Sequence, residues 1–520
     1  MKFFNLLKDK QNTNAKFYLI YILFVLIAAF SVITKRNLDH PMMELISIFF
    51  ISFIGIVCLK FYFNHRSSDE LYKSVFVFLI IFGLVCAFIN PICEGSDFEE
   101  HAVRSEITSR GVLFPEYNGD NFTSYYKNND SKYVWDGSGF ETIASSNFFH
   151  DSRHLTVFDT EQDSAKINHT PINVTSCFEQ NFFLGYLPQA LGMLIAKILD
   201  LNQIWLLWLG NICNLIVYSS IISYAVKKSP IFKIPIFSVS LIPFSLFLGS
   251  SISIDAMIIS LSLLAISYFF YMYKLDDKSL STRDIIIFFI ICLCLGLCKI
   301  TMFSFIFLIF AVPIKNFKDK KVFVYSLIMC LILGLIALIQ GYVGQNALWH
   351  SYRASKFFTE NINSTQQISF LLSGNNLILE MSNFLYNLES AIVPLIPTFT
   401  QDKYTLDGFL YPLIVLFVGF ISFGYPTNEK INNKSKIVVL LIIVILFFGT
   451  YFIEYLTWTP VGQLNVEGIQ TRYFLPLIAL FPFVFSMNNN KEDDKTRDHT
   501  VLISLLLLSA FLLEIIFKFY

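Results

Sequence analysis

The chain has 520 residues, of which 55% are hydrophobic, 17% aromatic and only 15% charged, and its formal net charge is -1. Apolar runs of about 18 residues or more recur along it, the signature of helices that cross a bilayer, so a soluble globular class is excluded. The nearly balanced charge leaves no basic footprint of the kind nucleic-acid binding needs.

The first apolar run, Phe17 to Thr34, follows a leader carrying Lys2, Lys8, Lys10 and Lys16. It has no small-residue cleavage site and is longer than a signal core, so it is expected to remain as the first span. Further spans are predicted near 43–62, 74–92, 203–226, 233–250, 255–273, 284–298, 300–314, 322–342, 408–424, 437–455, 473–487 and 500–518. The expected fold class is therefore all-α, a polytopic membrane protein with about thirteen transmembrane helices. Residues 1–93 would hold the first spans, 94–202 an outer loop with its own helix, 203–342 the central spans, 343–407 a second outer loop and 408–520 the last spans.

The segment "NFFLGYLPQALGMLIAKIL", Asn181 to Leu199, has Gly185, Pro188, Gln189 and Gly192 interrupting its apolar face. It could span, re-enter or lie in the interface, and the distribution of charge decides. If it does not cross, Lys227, Lys228, Lys233 and the loops "KLDDKSLSTRD", "KNFKDKK", "NEKINNKSK" and "NNNKEDDKTRD" all fall on the cytoplasmic side with the lysine-bearing N-terminus. That is the positive-inside arrangement, and it makes the segment an interfacial or re-entrant helix. The outer face then carries the loop from about 94 to 181, a second from about 343 to 405, a short one from about 456 to 472, and tight turns near Ser251 and Lys299. No internal repeat is visible, so an inverted-repeat transporter has no support in the sequence.

Seven of the nine cysteines lie inside apolar runs, where a small buried side chain is the ordinary reading, and their spacing matches no zinc pattern. Cys93 and Cys177 bracket the first outer loop and could close it by a disulfide on an oxidising side. His350, Arg353 and Trp458 read as interfacial anchors or as the lining of a sugar pocket. The sequons at Asn121, Asn129, Asn168 and Asn173 arise easily by chance in an Asn- and Ser-rich loop.

Directly after the third span, "GSDFEEHAVRSE" places Asp97, Glu100, His101 and Arg104 at i, i+3, i+4 and i+7, one face of a helix. That face is either a solvated helix start or a site. The same topology brings Asp255 in "SSISIDAMIIS", Lys299 in "LGLCKITMF" and Arg472 in "VEGIQTRYFLP" to the outer border. A charge there is costly unless it snorkels, is paired or serves a site.

These blocks carry a resemblance. "DFEEHAVR" supplies Asp97, His101 and Arg104 in a register that reads Asp-Glu, two residues, His, two residues, Arg, with Phe98 in place of the usual Glu. "YLPQALGMLIAKIL" from Tyr186, "SISIDA", the turn at Lys299 and "GIQTRYFLP", with Thr471 where Gly is common, follow in order. From about 90 to 487 the chain resembles a family of bacterial multi-spanning membrane proteins known only as a domain of unknown function (DUF), which is itself similar to the GT-C glycosyltransferases. The GT-C likeness implies a polyprenyl-phosphate sugar donor in the outer leaflet of the cell membrane and an envelope glycan or lipid acceptor. It implies Asp97 as general base with Glu100 as a second acid, either Glu99 or Glu100 standing in for the second carboxylate. Arg104, Lys299 and Arg472 would hold the donor phosphate. His101 would orient Asp97 or touch the phosphate, and Asp255 and Gln470 would support the cations or the acceptor. No cofactor is required; clustered carboxylates leave room for a divalent metal without a spacing that demands one. Two other readings stay open: a flippase, polymerase or transporter of envelope glycolipids, and a non-catalytic membrane scaffold.

Overall fold

In lipid every backbone N–H and C=O must find its partner within its own segment, so long apolar runs become helices. The computed structural model describes residues 10–34, 41–91, 95, 97–114, 166–167, 178, 181–202, 204–354, 362–395, 410–485 and 492–520. Among them the chain is helical throughout, with only two isolated bridges, Lys166 to Asn202 and Leu280 to Phe317. The Cys93–Cys177 pair, the four sequons and the side chains of His350 and Arg353 lie outside the described residues.

The first half runs α1 (Lys10–Ile33), α2 (Pro41–Asn64), α3 (Leu71–Ile89), α4 (Phe98–Ser109), α5 (Leu187–Ile198), α6 (Ile204–Lys228), α7 (Lys233–Ser240), α8 (Pro243–Gly249), α9 (Asp255–Lys274) and α10 (Thr282–Cys298). A 3-10 segment, Ile300–Ala311, leads to α11 (Lys320–Ala354), α12 (Ser364–Leu372), α13 (Asn376–Tyr386) and α14 (Leu388–Ile392). After α15 (Leu410–Gly419) come α16 (Asn433–Thr457), α17 (Phe481–Phe485) and α18 (Asp494–Phe519).

Eight of these helices, among the described residues, are long and apolar enough to cross a membrane: α1, α2, α3, α6, α9, α11, α16 and α18. The other expected spans are shorter or broken. The 233–250 segment divides into α7 and α8 at Leu241 and Ile242, just before Pro243, which cannot donate to the ladder and clashes with the preceding turn. Pro476 and Pro482 likewise divide 473–487 into short turns, and α15 passes into a π-type turn over Phe420–Gly424. The stretch after Lys299 winds as a 3-10 helix, whose steeper rise carries its twelve residues about 24 Å, nearly the thickness of the hydrocarbon core. Of the about thirteen expected spans, eight are therefore continuous helices long enough to cross, among the described residues, and the others are shorter or interrupted.

Burial sorts the helices. The apolar windows of α9 and α18 are 89% buried, whereas those of α1, α2 and α11 are 22–28% buried and face outward. α9 and α18 are the centre against which the rest pack, and the large buried side chains Phe237, Phe247 and Phe269 fill the space beside them.

α5 has two faces. Leu187, Leu191 and Ile198 are exposed while Gln189, Ala190, Met193 and Ala196 are buried. Its twelve residues extend about 18 Å, too short to cross. It lies against α6 so closely that a Cβ at Gly192 would meet the Leu209 carbonyl oxygen at 2.1 Å. Small residues allow such backbone approach between helices in lipid. α4 packs onto this pair through Phe98 and Ala102, which join Met193, Ala196, Ile204 and Leu207 in a separate apolar cluster.

Gly192→Ala is expected to destabilise the protein by about 1–3 kcal/mol, because the obstructing atom is backbone and cannot turn aside. Gly334→Ala in α11, where a Cβ meets nothing, should be neutral or slightly stabilising. Thermal unfolding of the two variants in the same detergent checks this, and equal midpoints would contradict the close approach.

Candidate functional site

Five separate segments end at one cluster of charges. Asp97 precedes α4 in the left-handed region, φ 54° and ψ 33°, which turns its carboxylate away from the helix axis. Asp255 opens α9, Lys299 closes α10, Glu454 lies in the last turn of α16, and Arg472 sits in the 3-10 turn Thr471–Tyr473. The chain reaches that turn through Gly468 at φ +81°, where a side chain would be strained and would press within 3.1 Å of a Glu454 carboxylate oxygen.

Arg472 bridges two carboxylates. Its Nη2 donates to Asp97 Oδ2 at 2.5 Å and its Nε lies 3.2 Å from Asp255 Oδ2. The same Asp255 oxygen accepts from Ser253 Oγ at 3.0 Å. Lys299 Nζ lies 3.7 Å from Glu454 Oε1 and 3.1 Å from the centre of the Tyr473 ring, whose face also receives the Arg472 guanidinium at 5.6 Å. Three carboxylates and two cations are thereby compressed around one aromatic ring. The Arg472 and Asp255 side chains are 5% exposed, whereas Asp97 is 29% exposed and forms the open edge of the group.

His101, one turn into α4, heads a neutral network. Asn181 Nδ2 donates to the Tyr186 hydroxyl at 3.0 Å, and the same hydroxyl is hydrogen-bonded to His101 Nδ1, also at 3.0 Å. His101 Nε2 is buried and has no hydrogen-bond partner among the described residues. Gln470 Oε1, Glu454 Oε2 and both amide atoms of Gln189 are buried in the same condition. Buried polar atoms are normally satisfied, so these are the positions where water or a bound molecule would complete the structure.

The remaining expected site residues sit apart from the bridge. Arg104 is 1% exposed, and its three nitrogens donate to the Asn181 carbonyl at 3.1 Å, Thr108 Oγ1 at 2.7 Å and the Leu113 carbonyl at 2.9 Å. It fastens the end of α4 to the chain on either side of the first loop. Glu100 is also buried. An ion pair not anticipated from the sequence, Lys197 with Glu106, ties α4 to α5, and Arg110 at the end of α4 meets the same carboxylate.

Among the described residues no three His, Cys, Asp or Glu side chains group as a bound metal would require. Asp97, Asp255, Lys299 and Arg472 converge as their positions at the ends of predicted spans implied. Glu454, Tyr473 and Tyr186 were missed. Glu454 was visible as a lone carboxylate within an apolar run, which in a membrane is itself a sign of a partner or a site.

Because α4 is a short polar helix and not a span, the protonation of its groups can be followed. Burial holds the His101 imidazole down to about 4, against the pull of the Asp255 and Asp97 carboxylates, so it is neutral at pH 7. Burial opposes ionisation of Asp97, but the Arg472 guanidinium beside it outweighs this and holds the carboxyl below its ordinary value. Both shifts act in one direction. The unfolded chain binds protons that the folded one refuses, so stability is complete above pH 6.5 and falls as pH drops towards about 4. The His101 contribution is on the order of 3 kcal/mol. His101→Gln should therefore flatten the dependence of unfolding temperature on pH between 6.5 and 4, and an unchanged slope would contradict a buried neutral imidazole.

No curated protein and no solved structure matches the chain. A family model described as a predicted membrane protein, DUF2142, matches residues 79–481, a range that holds α4 and every member of the charged cluster. The chain belongs to the DUF2142 family of membrane proteins.

Proposed function

We propose that the protein is a membrane glycosyltransferase of GT-C type, acting at the outer face of the cell membrane on a polyprenyl-phosphate sugar and an envelope glycan or lipid acceptor. The observation that carries this reading is the arrangement of Arg472 between Asp97 and Asp255 with Lys299 beside it. One partly open carboxylate stands next to two cations at the ends of membrane helices, where a lipid phosphate would present its head group. The lysine-rich loops at the other ends of the helices support placing this end outside.

In the proposed reaction the acceptor hydroxyl attacks the anomeric carbon, the bond from that carbon to the phosphate oxygen breaks, and Asp97 takes the hydroxyl proton. The released polyprenyl phosphate keeps the electron pair, and its growing charge is met by Arg472 and Lys299. Arginine suits this role because its planar fork can hold two phosphate oxygens, while lysine supplies a point charge. In the ligand-free state Asp97 is engaged by Arg472, so phosphate arriving at Arg472 would compete for the guanidinium and release the carboxylate that serves as base. A neutral His101, donating from Nε2, would hold an oxygen without adding charge. Arg104 supports the reading less directly, through its hold on the Asn181 and Leu113 carbonyls beside α4.

Asp97→Asn tests the assignment while keeping the left-handed backbone, which asparagine tolerates well, and leaves Asp255 facing Arg472; thermal unfolding of the variant is measured alongside to show that the fold is kept. Turnover should fall by about a hundredfold to ten-thousandfold, the usual cost of a lost general base. Donor binding should be retained, and Glu99→Gln should be nearly silent. The measurement is release of polyprenyl phosphate by purified protein supplied with a polyprenyl-phosphate hexose and envelope extract of its host. Equal activity of the two variants would remove the catalytic reading.

A further inference from the structure

At the ends of the helices away from the charged cluster lies a cavity of about 310 Å³, lined by polar and charged groups from four segments. α3 begins beside it and ends near Asp97, a separation of about 28 Å for nineteen residues, so the cavity and the cluster are distinct. Arg66 follows the end of α2, Lys233 begins α7, Asn428 and Glu429 belong to the connection before α16, and Glu492 and Arg497 flank the start of α18.

The charges in this cavity are unequally matched. Arg66 lies 3.4 Å from Asp498, whose other oxygen accepts from Tyr62 at 2.8 Å, and Arg497 is paired with Asp494. Glu429 is drawn off by Lys274 at 2.7 Å, outside the cavity lining. Glu492 accepts from the Tyr425 hydroxyl at 2.9 Å, which occupies one of its carboxylate oxygens, and burial raises its carboxyl above the ordinary value. Among the described residues Lys233 has no carboxylate within ion-pair distance, Asp69 and Glu492 acting on it only from farther off, and it donates to the Ser68 carbonyl at 2.7 Å. Phe232, also in the lining and next to Lys233, takes the left-handed conformation, φ 53°, which is rare and costly for a bulky residue.

From this juxtaposition we infer that the cavity is an anion site that takes a phosphate group, with Lys233 as its unpaired cation and Arg66 and Arg497 as flanking donors. The volume admits a phosphate with a small polar substituent. Two sources share that chemistry, the head group of an anionic phospholipid and a soluble phosphate. The site is independent of the glycosyltransferase reading, because none of its groups belongs to the cluster around Arg472.

The test uses detergent-solubilised full-length protein and isothermal titration with inorganic phosphate, dihexanoyl phosphatidylglycerol and dihexanoyl phosphatidylcholine. Phosphatidylglycerol, inorganic phosphate or both should bind, and the pattern identifies the source. Lys233→Gln should weaken that binding by about tenfold to a hundredfold, the usual effect of losing a charge-assisted contact, while Lys233→Arg should restore it. Arg472→Gln should leave it unchanged. No binding of either anion by the folded protein, equal binding of phosphatidylcholine, indifference to Lys233→Gln, or equal loss in Arg472→Gln would each overturn the inference.

Discussion

The bridge from Arg472 to Asp97 and Asp255 is the constraint on which the rest of this end of the protein depends. Asp97 and Arg472 are 375 residues apart in sequence, and both Arg472 and Asp255 are nearly excluded from solvent. A buried charge loses several kcal/mol of hydration and is tolerated only when its partner is fixed opposite it. The break after α3, the start of α9 and the turn after Gly468 must therefore meet, and the helices leading into them are held in register. Lys299 and Glu454 add a second pair that brings the break between α10 and the 3-10 segment against the last turn of α16.

In the proposed reading the short helix α4 is what makes this constraint serve a site. It is fastened at four places: by Asp97 to Arg472, by His101 to Tyr186, by Arg104 to the Asn181 and Leu113 carbonyls, and by Glu106 to Lys197. Its apolar side completes a small cluster with α5 and the start of α6. A polar helix held so firmly at the mouth of a helical bundle offers a fixed carboxylate, and fixed geometry is what transfer to or from a lipid-borne group requires. The buried atoms without hydrogen-bond partners among the described residues, His101 Nε2, Glu454 Oε2 and Gln470 Oε1, lie on residues within or beside this arrangement.

Much of this was legible in the sequence. The long apolar runs named all eight continuous helices, and Asp97, Asp255, Lys299 and Arg472 stood out because each interrupts or borders such a run. The interrupted segments were less legible, because hydropathy registers apolar content and not whether prolines at 243, 476 and 482 allow one unbroken ladder. The helical spacing of Asp97, Glu100, His101 and Arg104 was only half informative. Asp97 lies just before the helix in a left-handed turn and swings to Arg472, while Arg104 turns to the backbone carbonyls of the first loop, so one predicted face divides into two tasks. Tyr186 could not be assigned from local pattern, and Glu454 stood out as a lone carboxylate in an apolar run without showing its partner, since their significance comes from His101 and Lys299, 85 and 155 residues away.

The central claim is that the ion cluster is a phosphate-responsive site and not only a structural clasp. A cryo-electron-microscopy structure of the full chain with a polyprenyl phosphate bound tests it most directly. The account predicts phosphate between Arg472 and Lys299, with the Asp97 carboxylate released from Arg472 and turned towards the open edge. Phosphate bound elsewhere, with Arg472 still bridging Asp97 and Asp255, would contradict it.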